Sequence, residues 1–482
     1  MEKKENTKKA VLSGLFWRLM ERVGAQGVQF VISIVLARLL APEVFGTIAL
    51  INVFIAILSV FIDSGLGNSL IQKKEADDLD FSTVFYFNMA MCCILYIGLF
   101  IAAPAIAAFY NMPDLVNPIR AIGLLLIISG VKNVQQAYVS RTMQFKLFFY
   151  ATLCGTIGAA VLGIWMAFSG YGIWALIAQA LFNATVDTII LWYTVKWRPK
   201  RMFSWERLKG LFSYGWKLLA STLLDTVYNR IREMVIGKLY TPASLAFYEK
   251  GSNFPAIIVN NINTSINSVL FPAMSSQQDN MDRIKSFTRR AIKTSSYVMW
   301  PMMMGLSACA ESVVTILLTE KWLPCVPFMR IFCIIYAFYP IHTANLNAIK
   351  SVGRSDIFLK LEIIKKIMGL TLLLMTMRRG VMAMAYSLFV SNFLSQIINS
   401  WPNRKLLDYR YGEQIKDILP SIILSVVMFT IVWPIKLLHL NIYVTLIMQV
   451  AVGIVIYVGG SAIFRFESYT YFLLTLKEWR NR

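Results

Sequence analysis

The chain has 482 residues, of which 57% are hydrophobic and 15% are charged, and its mean hydropathy is +0.59. Soluble domains carry about 25% charged residues, so this composition excludes an ordinary soluble protein. Apolar stretches of about 20 residues, long enough to cross a bilayer, recur along the whole sequence. These stretches also exclude an outer-membrane barrel, because barrel strands are short and alternate in hydrophobicity.

We therefore predict an all-α polytopic membrane protein with 14 transmembrane helices and no cleavable signal peptide before the first of them. The predicted spans, in chain order, are Val11–Leu40, Val44–Asn68, Phe81–Phe109, Val116–Val139, Leu147–Phe168, Ile173–Val195, Leu208–Leu239, Leu245–Ala273, Ile292–Leu318, Val326–Ala348, Leu359–Thr376, Val381–Asn399, Ile415–Val432 and Ile442–Phe464. Spans seven and eight are the least hydrophobic, and an internal repeat supports them.

Lysine and arginine residues are distributed unequally between the two sets of predicted connections. Most of the 47 lie in the amino tail, in the connections from even to odd spans and in the carboxyl tail. The connections on the opposite side hold only Lys321, Arg378, Arg379 and Lys436. Because short cytoplasmic connections are enriched in these residues, we expect both termini to lie in the cytoplasm.

The formal net charge of +21 would also fit a nucleic-acid-binding protein. This charge is spread over the basic connections and the tails, so we attribute it to topology and to anionic membrane lipids, and we expect no nucleic-acid partner. The six cysteines lie in or at the ends of spans and show no zinc or redox spacing, and no Walker loop is present. We expect no metal, no cofactor and no catalytic residue.

An internal repeat relates the first predicted hairpin to the fourth. LARLLAPEVFGTIAL (Leu36–Leu50) aligns without a gap with IGKLYTPASLAFYEK (Ile236–Lys250), which places Pro42 over Pro242. Span seven thus restarts the pattern of span one in the same orientation, as in transporters that are built from parallel repeats. We predict an N-lobe of six spans, a C-lobe of six spans, and a last part with two extra spans and a cytoplasmic tail; their ranges are 1–200, 201–402 and 403–482.

Polar side chains recur at three- and four-residue steps along the first two spans of each lobe, so they share a helix face. They are Arg18, Glu21, Arg22, Gln26, Gln29 and Ser33 on span one, Asn52, Ser59 and Asp63 on span two, Lys217, Ser221, Asp225, Asn229 and Arg232 on span seven, and Glu249, Lys250, Asn253, Asn260, Thr264 and Asn267 on span eight. Ionisable groups at membrane depth face a protein interior or a watered cavity. We predict a polar lumen; the alternative is local pairing, as between Arg18 and Glu21, that locks helix packing.

Both signs of charge line the predicted lumen. Guanidinium groups match the bidentate acceptors of a diphosphate, so substrate binding is assigned to the basic residues. These are Arg18, Arg22, Lys217, Arg232 and Lys250. The acidic residues balance the empty site or bind a coupling cation, Na⁺ or H⁺, and the candidates are Glu21, Asp225 and Glu249. A fixed ion pair with a base of the lumen is the competing interpretation of Asp225.

Several of these segments resemble a known family. VLARLLAPEVFGTIAL, FIDSGLGNSLIQKK and ADDLDFSTVFYFN are similar to the amino-terminal signature of bacterial polysaccharide flippases, in the multidrug/oligosaccharidyl-lipid/polysaccharide exporter superfamily. KLYTPASLAFYEKGSNFPAI and VLFPAMSSQQDN resemble the span-eight region of the same family. The resemblance covers essentially the whole chain, and it is closest to the branch that exports lipid-linked capsule, colanic-acid or lipopolysaccharide repeat units.

The resemblance implies fourteen spans in 6+6+2 order, a cationic cavity and alternating access. It implies that an undecaprenyl-diphosphate-linked oligosaccharide crosses the bacterial cytoplasmic (inner) membrane, for capsule, exopolysaccharide or lipopolysaccharide synthesis. Arg18 and Arg22 on span one and Lys250 on span eight match the cationic cavity of this family. The expected partners are therefore this lipid-linked substrate, membrane lipids and a coupling cation.

Two other functions fit a polytopic helical chain. A cation-coupled drug or metabolite antiporter of the same superfamily shares the twelve-helix core, but the two extra spans and the basic residues of span one favour the flippase. A polysaccharide polymerase or ligase is also polytopic, but such an enzyme presents a long outer loop for catalysis, and every predicted outer connection here is short.

Overall fold

The computed structural model describes residues 17, 20, 24–63, 66–73, 76–471 and 474, without the side chains of residues 63, 68, 72, 213 and 214. Regular secondary structure in this part of the chain is helical. The α-helices are α1 Gly24–Leu39, α2 Pro42–Asp63, α3 Leu66–Gln72, α4 Asp78–Phe109, α5 Val116–Arg141, α6 Lys146–Phe168, α7 Ile173–Thr194, α8 Trp205–Leu239, α9 Pro242–Ser275, α10 Met281–Ala308, α11 Ala310–Leu318, α12 Val326–Ala337, α13 Tyr339–Ser351, α14 Ser355–Thr376, α15 Val381–Ser400, α16 Asn403–Leu406, α17 Tyr411–Val432 and α18 Ile442–Ile463.

Among the described residues, nine helical segments are long and apolar enough to cross a membrane, and a tenth is formed if α10 and α11 make one bent span. The chain is therefore a multi-pass membrane protein, as the composition predicts. The helices α8, α9 and α14 are long enough, but they are not among these segments, and the described part of the first span, α1, has only 16 residues. Fourteen spans therefore remain a prediction.

The repeated hairpins break at equivalent positions. The first pair of helices ends at Leu39 and restarts at Pro42, and the second pair ends at Leu239 and restarts at Pro242. Proline suits the first position of a helix, because its fixed φ angle fits the helix and its missing N–H is not needed there. The local sequence match thus corresponds to a match in local structure.

Three predicted spans differ from the observed helices. The ninth predicted span, Ile292–Leu318, is two helices that meet at a bend of 67° after Ala308. The tenth, Val326–Ala348, is broken at Phe338, because Pro340 near the start of α13 cannot donate a backbone hydrogen bond to the preceding turn. The end of the second is the separate helix α3, which follows α2 after Asp63.

One helix also starts earlier in the chain than the sequence predicts. The helix α10 begins at Met281, eleven positions before Ile292, where the ninth span was predicted to start. The N-cap residue Asn280 accepts a hydrogen bond from the backbone N–H of Arg283 at 3.0 Å. An amide oxygen at this position satisfies a donor that the first helical turn leaves unpaired, so the basic segment is helical rather than a loop.

The chain divides into two compact units, Met1–Leu245 and Ala246–Arg482. In unit 1, α5 packs against α2, α4 and α7, and α2 packs against α8. All six helices from α3 to α8 contribute to a buried apolar core, which includes Leu70, Phe81, Val134, Ala151, Leu191 and Leu208. The segment after α7 packs against this core. The ring centroids of Trp197 and Phe81 lie 5.6 Å apart, and the indole N–H of Trp197 donates to the Asp78 carboxylate at 3.2 Å.

The start of α4 is fixed by the acidic segment ADDLD. Asp77 is the N-cap residue, and its carboxylate accepts from the backbone N–H of Asp80 at 2.9 Å. This hydrogen bond lowers the pKa of Asp77, because it stabilises the charged carboxylate. The fully buried Asp80 is paired with Lys73 at 2.6 Å. The segment therefore acts as a helix start.

In unit 2, α10 packs against α12, α13 and α17. A buried polar network joins the helices α13, α15 and α17. The Asn345 amide on α13 donates to Gln414 on α17 at 2.8 Å and to Ser400 on α15 at 3.1 Å, and it accepts from Asn403 at 2.6 Å. Buried amides without partners are costly, so this network fixes the packing of α13, α15 and α17.

Candidate functional site

The polar face of α8 is exposed along most of its length. Lys217, Ser221, Asp225 and Asn229 are all exposed, and Lys217 and Asp225 lie about 12 Å apart along the helix axis. Arg232, at the end of this series, is buried, with 9% of its surface exposed. A polar face of this kind in a helix of 35 residues has no favourable contact with lipid hydrocarbon.

The polar face of α9 is arranged in the same way within unit 2. Asn253, Asn260, Thr264 and Asn267 are exposed at helical spacing. The side-chain oxygen of Asn267 accepts a hydrogen bond from the side-chain amide of Asn347 on α13 at 2.7 Å, so part of this face is held by a neighbouring helix. The exposed amides and hydroxyls offer many donors and acceptors to a polar ligand.

Lys250 lies inside unit 2. Its side chain is 9% exposed, and its ammonium group lies 5.7 Å from the ring centroid of Trp322, within the range of a cation–π contact. The ring of Phe247 packs edge-on against the same Trp322. Glu249, the preceding residue, is partly exposed. Of the five basic residues assigned to the substrate, the structure thus describes Lys217 at the surface and Arg232 and Lys250 in the interior.

Arg18, Glu21 and Arg22 lie outside the described residues, so their predicted roles stay predictions. Their neighbour Trp17 is described, and its ring lies 5.4 Å from that of Phe149 on α6. The ammonium group of Lys146 lies 5.3 Å from the centroid of the Trp17 ring. Trp17 is therefore in contact with the start of α6 within unit 1.

Unit 1 contains a polar cavity of about 340 Å³ between membrane-spanning helices. It is lined by side chains from α1, α2, α5 and α7, and the polar ones are Gln29, Asn52, Lys132, Gln179, Asn183 and Asp187. Gln29 and Asn52 belong to the polar faces that the sequence predicts for spans one and two. We call this cavity the amide cavity.

The charged residues of the amide cavity form an ion pair. The ammonium group of Lys132 on α5 lies 2.9 Å from a carboxylate oxygen of Asp187 on α7, and their side chains are only 19% and 13% exposed. Opposite charges in a poorly hydrated site stabilise each other, whereas either charge alone would be costly. The pair thus joins α5 to α7 and leaves the cavity without net charge from these two groups.

The polar wall on α7 is positioned by close packing against α6. Gln179, Asn183 and Asp187 are spaced four residues apart, so they share one face of α7. A Cβ atom at Gly155 on α6 would lie 2.8 Å from the side-chain oxygen of Asn183, and one at Gly163 would lie 3.1 Å from the Cβ of Gln179. Small residues of this kind allow two membrane helices to approach closely.

Sequence reasoning missed Lys132, Gln179, Asn183 and Asp187. The predicted polar faces lie on the first two spans of each lobe, where polar residues are frequent. On spans four and six the apolar background is strong, and single charges there gave no long periodic pattern. The four-residue spacing from Gln179 to Asp187 was the available signal, since three polar groups on one face of an apolar helix indicate a cavity or a partner helix.

The sequence matches the family of polysaccharide biosynthesis proteins over residues 35–327, which is more than half of the chain. A multi-pass helical membrane protein with this match belongs to that family, and the family resemblance seen in the sequence is thereby confirmed.

Three curated proteins are similar over most of the chain. The succinoglycan biosynthesis transport protein ExoT of Rhizobium meliloti (strain 1021) is 23% identical, with 72% of this chain and 71% of that protein covered. The lipopolysaccharide biosynthesis protein WzxC of Escherichia coli (strain K12) is 23% identical, with 81% and 79% covered. The teichuronic acid biosynthesis protein TuaB of Bacillus subtilis (strain 168) is 22% identical, with 78% and 79% covered.

Two solved structures share the fold. The lipid II flippase MurJ in an inward closed conformation has a TM-score of 0.77 at 14% identity, with 93% of this chain and 98% of that chain covered. An inward-facing multidrug resistance transporter of the MATE family, in the MOP superfamily, has a TM-score of 0.60 at 14% identity, with 79% and 94% covered. At this identity the similarity shows the fold alone.

We expect the ion pair of the amide cavity to stabilise the folded protein. Lys132→Met should lower the free energy of unfolding by about 3 kcal/mol, because Asp187 then loses its partner in a poorly hydrated site. The double variant Lys132→Met with Asp187→Leu should recover most of this loss, since neither charge remains. Thermal unfolding of the detergent-purified protein is the measurement.

The matched control is Lys200→Met in the same unit. Lys200 is paired with Asp78 at 2.5 Å, but both side chains are about half exposed, so this substitution should change the free energy of unfolding by less than about 1 kcal/mol. A Lys132→Met protein as stable as the unaltered one would contradict a stabilising ion pair at this site.

Proposed function

We propose that the protein is a flippase that moves undecaprenyl-diphosphate-linked oligosaccharide repeat units across the bacterial cytoplasmic membrane by alternating access. The observation that carries the proposal is the family match over residues 35–327, together with relatives named for the transport or biosynthesis of surface polysaccharides. The product would serve capsule, exopolysaccharide or lipopolysaccharide synthesis. The protein carries its substrate and catalyses no covalent step.

The exposed polar faces of α8 and α9 support this function. Both helices are long enough to cross a bilayer, and both present amides, hydroxyls or charges along their exposed faces. Hydrocarbon cannot satisfy such groups, whereas water and a hydrated sugar can. Each of these faces is therefore in contact with water or with the hydrated oligosaccharide during transport.

The basic residues have separate tasks in this proposal. Arg18 and Arg22 bind the diphosphate through bidentate hydrogen bonds, and the exposed Lys217 attracts the same group as a point charge. Arg232 and Lys250 are held in the interior of the protein and add positive charge to the wall of the path. The oligosaccharide part of the substrate needs no charged partner, so residues other than these basic ones recognise it.

The proposed topology has fourteen spans, with both termini in the cytoplasm, and keeps the division into 1–200, 201–402 and 403–482. It is supported by the unequal distribution of basic residues and by the equivalent helix starts at Pro42 and Pro242. A cysteine that replaces Arg201 should resist an impermeant thiol reagent in intact cells and react after the cells are opened. Labelling in intact cells would overturn the topology.

Alanine at Arg18 or Arg22 should lower surface polysaccharide at least tenfold in a deletion strain that depends on the introduced gene. The reason is the loss of bidentate contacts to the diphosphate, and lysine at either position should restore the polysaccharide only partly. The measurement is surface polysaccharide per cell, normalised to the amount of protein in the membrane. Normal export by the protein with both alanines would reject the diphosphate site.

Asp225 on α8 is a candidate for coupling to a cation gradient, and Glu249 on α9 is the competing candidate. The exposed carboxylate of Asp225 stands eight residues from Lys217 on the same face, where it can hold Na⁺ or H⁺ in one state of the transport cycle and release it in another. The competing role is a fixed ion pair with a base of the path. The two roles differ in the effect of Asp225→Asn.

A coupling role predicts that Asp225→Asn folds normally and loses the stimulation of flipping by an imposed Na⁺ or pH gradient. A fixed pair predicts less folded protein and an unchanged gradient response. The measurement is flipping in vesicles with and without each gradient, and Glu249→Gln is tested in parallel. An unchanged gradient response in Asp225→Asn excludes coupling through that residue.

A further inference from the structure

The amide cavity has the chemistry of a site for a neutral polar ligand. Four of its side chains are amides, which each offer both donors and acceptors. Ile48, Ile122 and Leu176 add apolar wall between them. A volume of about 340 Å³ falls within the range of small-molecule sites, about 300–1,000 Å³. The cavity therefore suits a compact molecule that carries hydroxyl groups on an apolar frame.

The charge of the cavity argues against an ionic ligand. Lys132 and Asp187 are its charged lining residues, and they neutralise each other at 2.9 Å. A diphosphate would meet the Asp187 carboxylate, and a metal cation would have to displace the ammonium group of Lys132. A neutral ligand can hydrogen-bond to the amides while the ion pair stays intact.

One group of the cavity wall lacks a hydrogen-bond partner. The side-chain oxygen of Asn183 is buried and has no donor within reach among the described residues. Gly155 holds the backbone of α6 against this side chain, so the amide is kept in place next to the cavity.

We infer that the amide cavity binds an uncharged sugar ring of the lipid-linked substrate. The inference rests on the proposed function and deepens it, because it separates recognition of the sugar from recognition of the diphosphate. The amides on α1, α2 and α7 bond the sugar hydroxyls, and the isoleucine and leucine side chains contact the C–H faces of the ring. Specificity for the repeat unit is then determined in unit 1.

Binding of matched lipids to the purified full-length protein tests the inference. The probes are undecaprenyl diphosphate alone and the same lipid carrying glucose, galactose or N-acetylglucosamine. At least one glycosylated lipid should bind about tenfold more tightly than undecaprenyl diphosphate, the gain expected from one or two hydrogen bonds to buried amides. Asn183→Leu should reduce this ratio about fivefold and leave the affinity for undecaprenyl diphosphate unchanged.

Two further variants keep the test decisive. Asn52→Leu removes the cavity amide that α2 provides and should also lower the ratio; it carries the test if Asn183→Leu does not fold. Asn117→Leu makes the same chemical change at an exposed position in the first turn of α5, away from the cavity, and should leave the ratio unaltered.

The possible failures are distinguishable. Equal affinities of the unaltered protein for all four lipids, or unchanged ratios in both cavity variants, would overturn the sugar site while the flippase proposal stands. Failure of the unaltered protein to bind any of the four lipids would contradict the proposed function itself.

Discussion

A polar or ionised side chain at membrane depth needs a protein partner or water, and this constraint governs the whole molecule. In unit 1 the constraint is met by the ion pair of Lys132 with Asp187 and by the cavity beside it. In unit 2 it is met by the amide network around Asn345. The polar faces of α8 and α9 are exposed along most of their length, which is why a water-filled path is assigned to them.

In the proposed function, the chemistry of the substrate is divided in a way that follows from the same constraint. A diphosphate carries charge and requires cations, which the sequence supplies on the first span and on α8. A sugar ring is neutral and requires paired donors and acceptors without net charge, which the amide cavity supplies. A carrier that recognises the two parts separately can keep a common diphosphate site while the sugar site changes between relatives.

The helices and their order could be predicted from the sequence, because long apolar runs and the prolines at 42 and 242 determine where they start and stop. The bend after Ala308 could not be predicted, since no proline lies within five residues of it. The amide cavity was half predicted: Gln29 and Asn52 lie on frequent polar faces, whereas Lys132 and Asp187 are isolated in sequence and meet only when α5 packs on α7. The burial of Lys250 against Trp322 likewise depends on residues distant in the chain.

The most direct test of the account is transport by the purified protein alone. The protein would be placed in liposomes together with undecaprenyl diphosphate that carries a short fluorescent oligosaccharide, and an impermeant quencher would report how much of the lipid has changed leaflets. The account predicts that the lipid exchanges much faster than in protein-free liposomes, and that Arg18→Ala with Arg22→Ala abolishes the difference. Equal exchange with and without the protein would contradict the account.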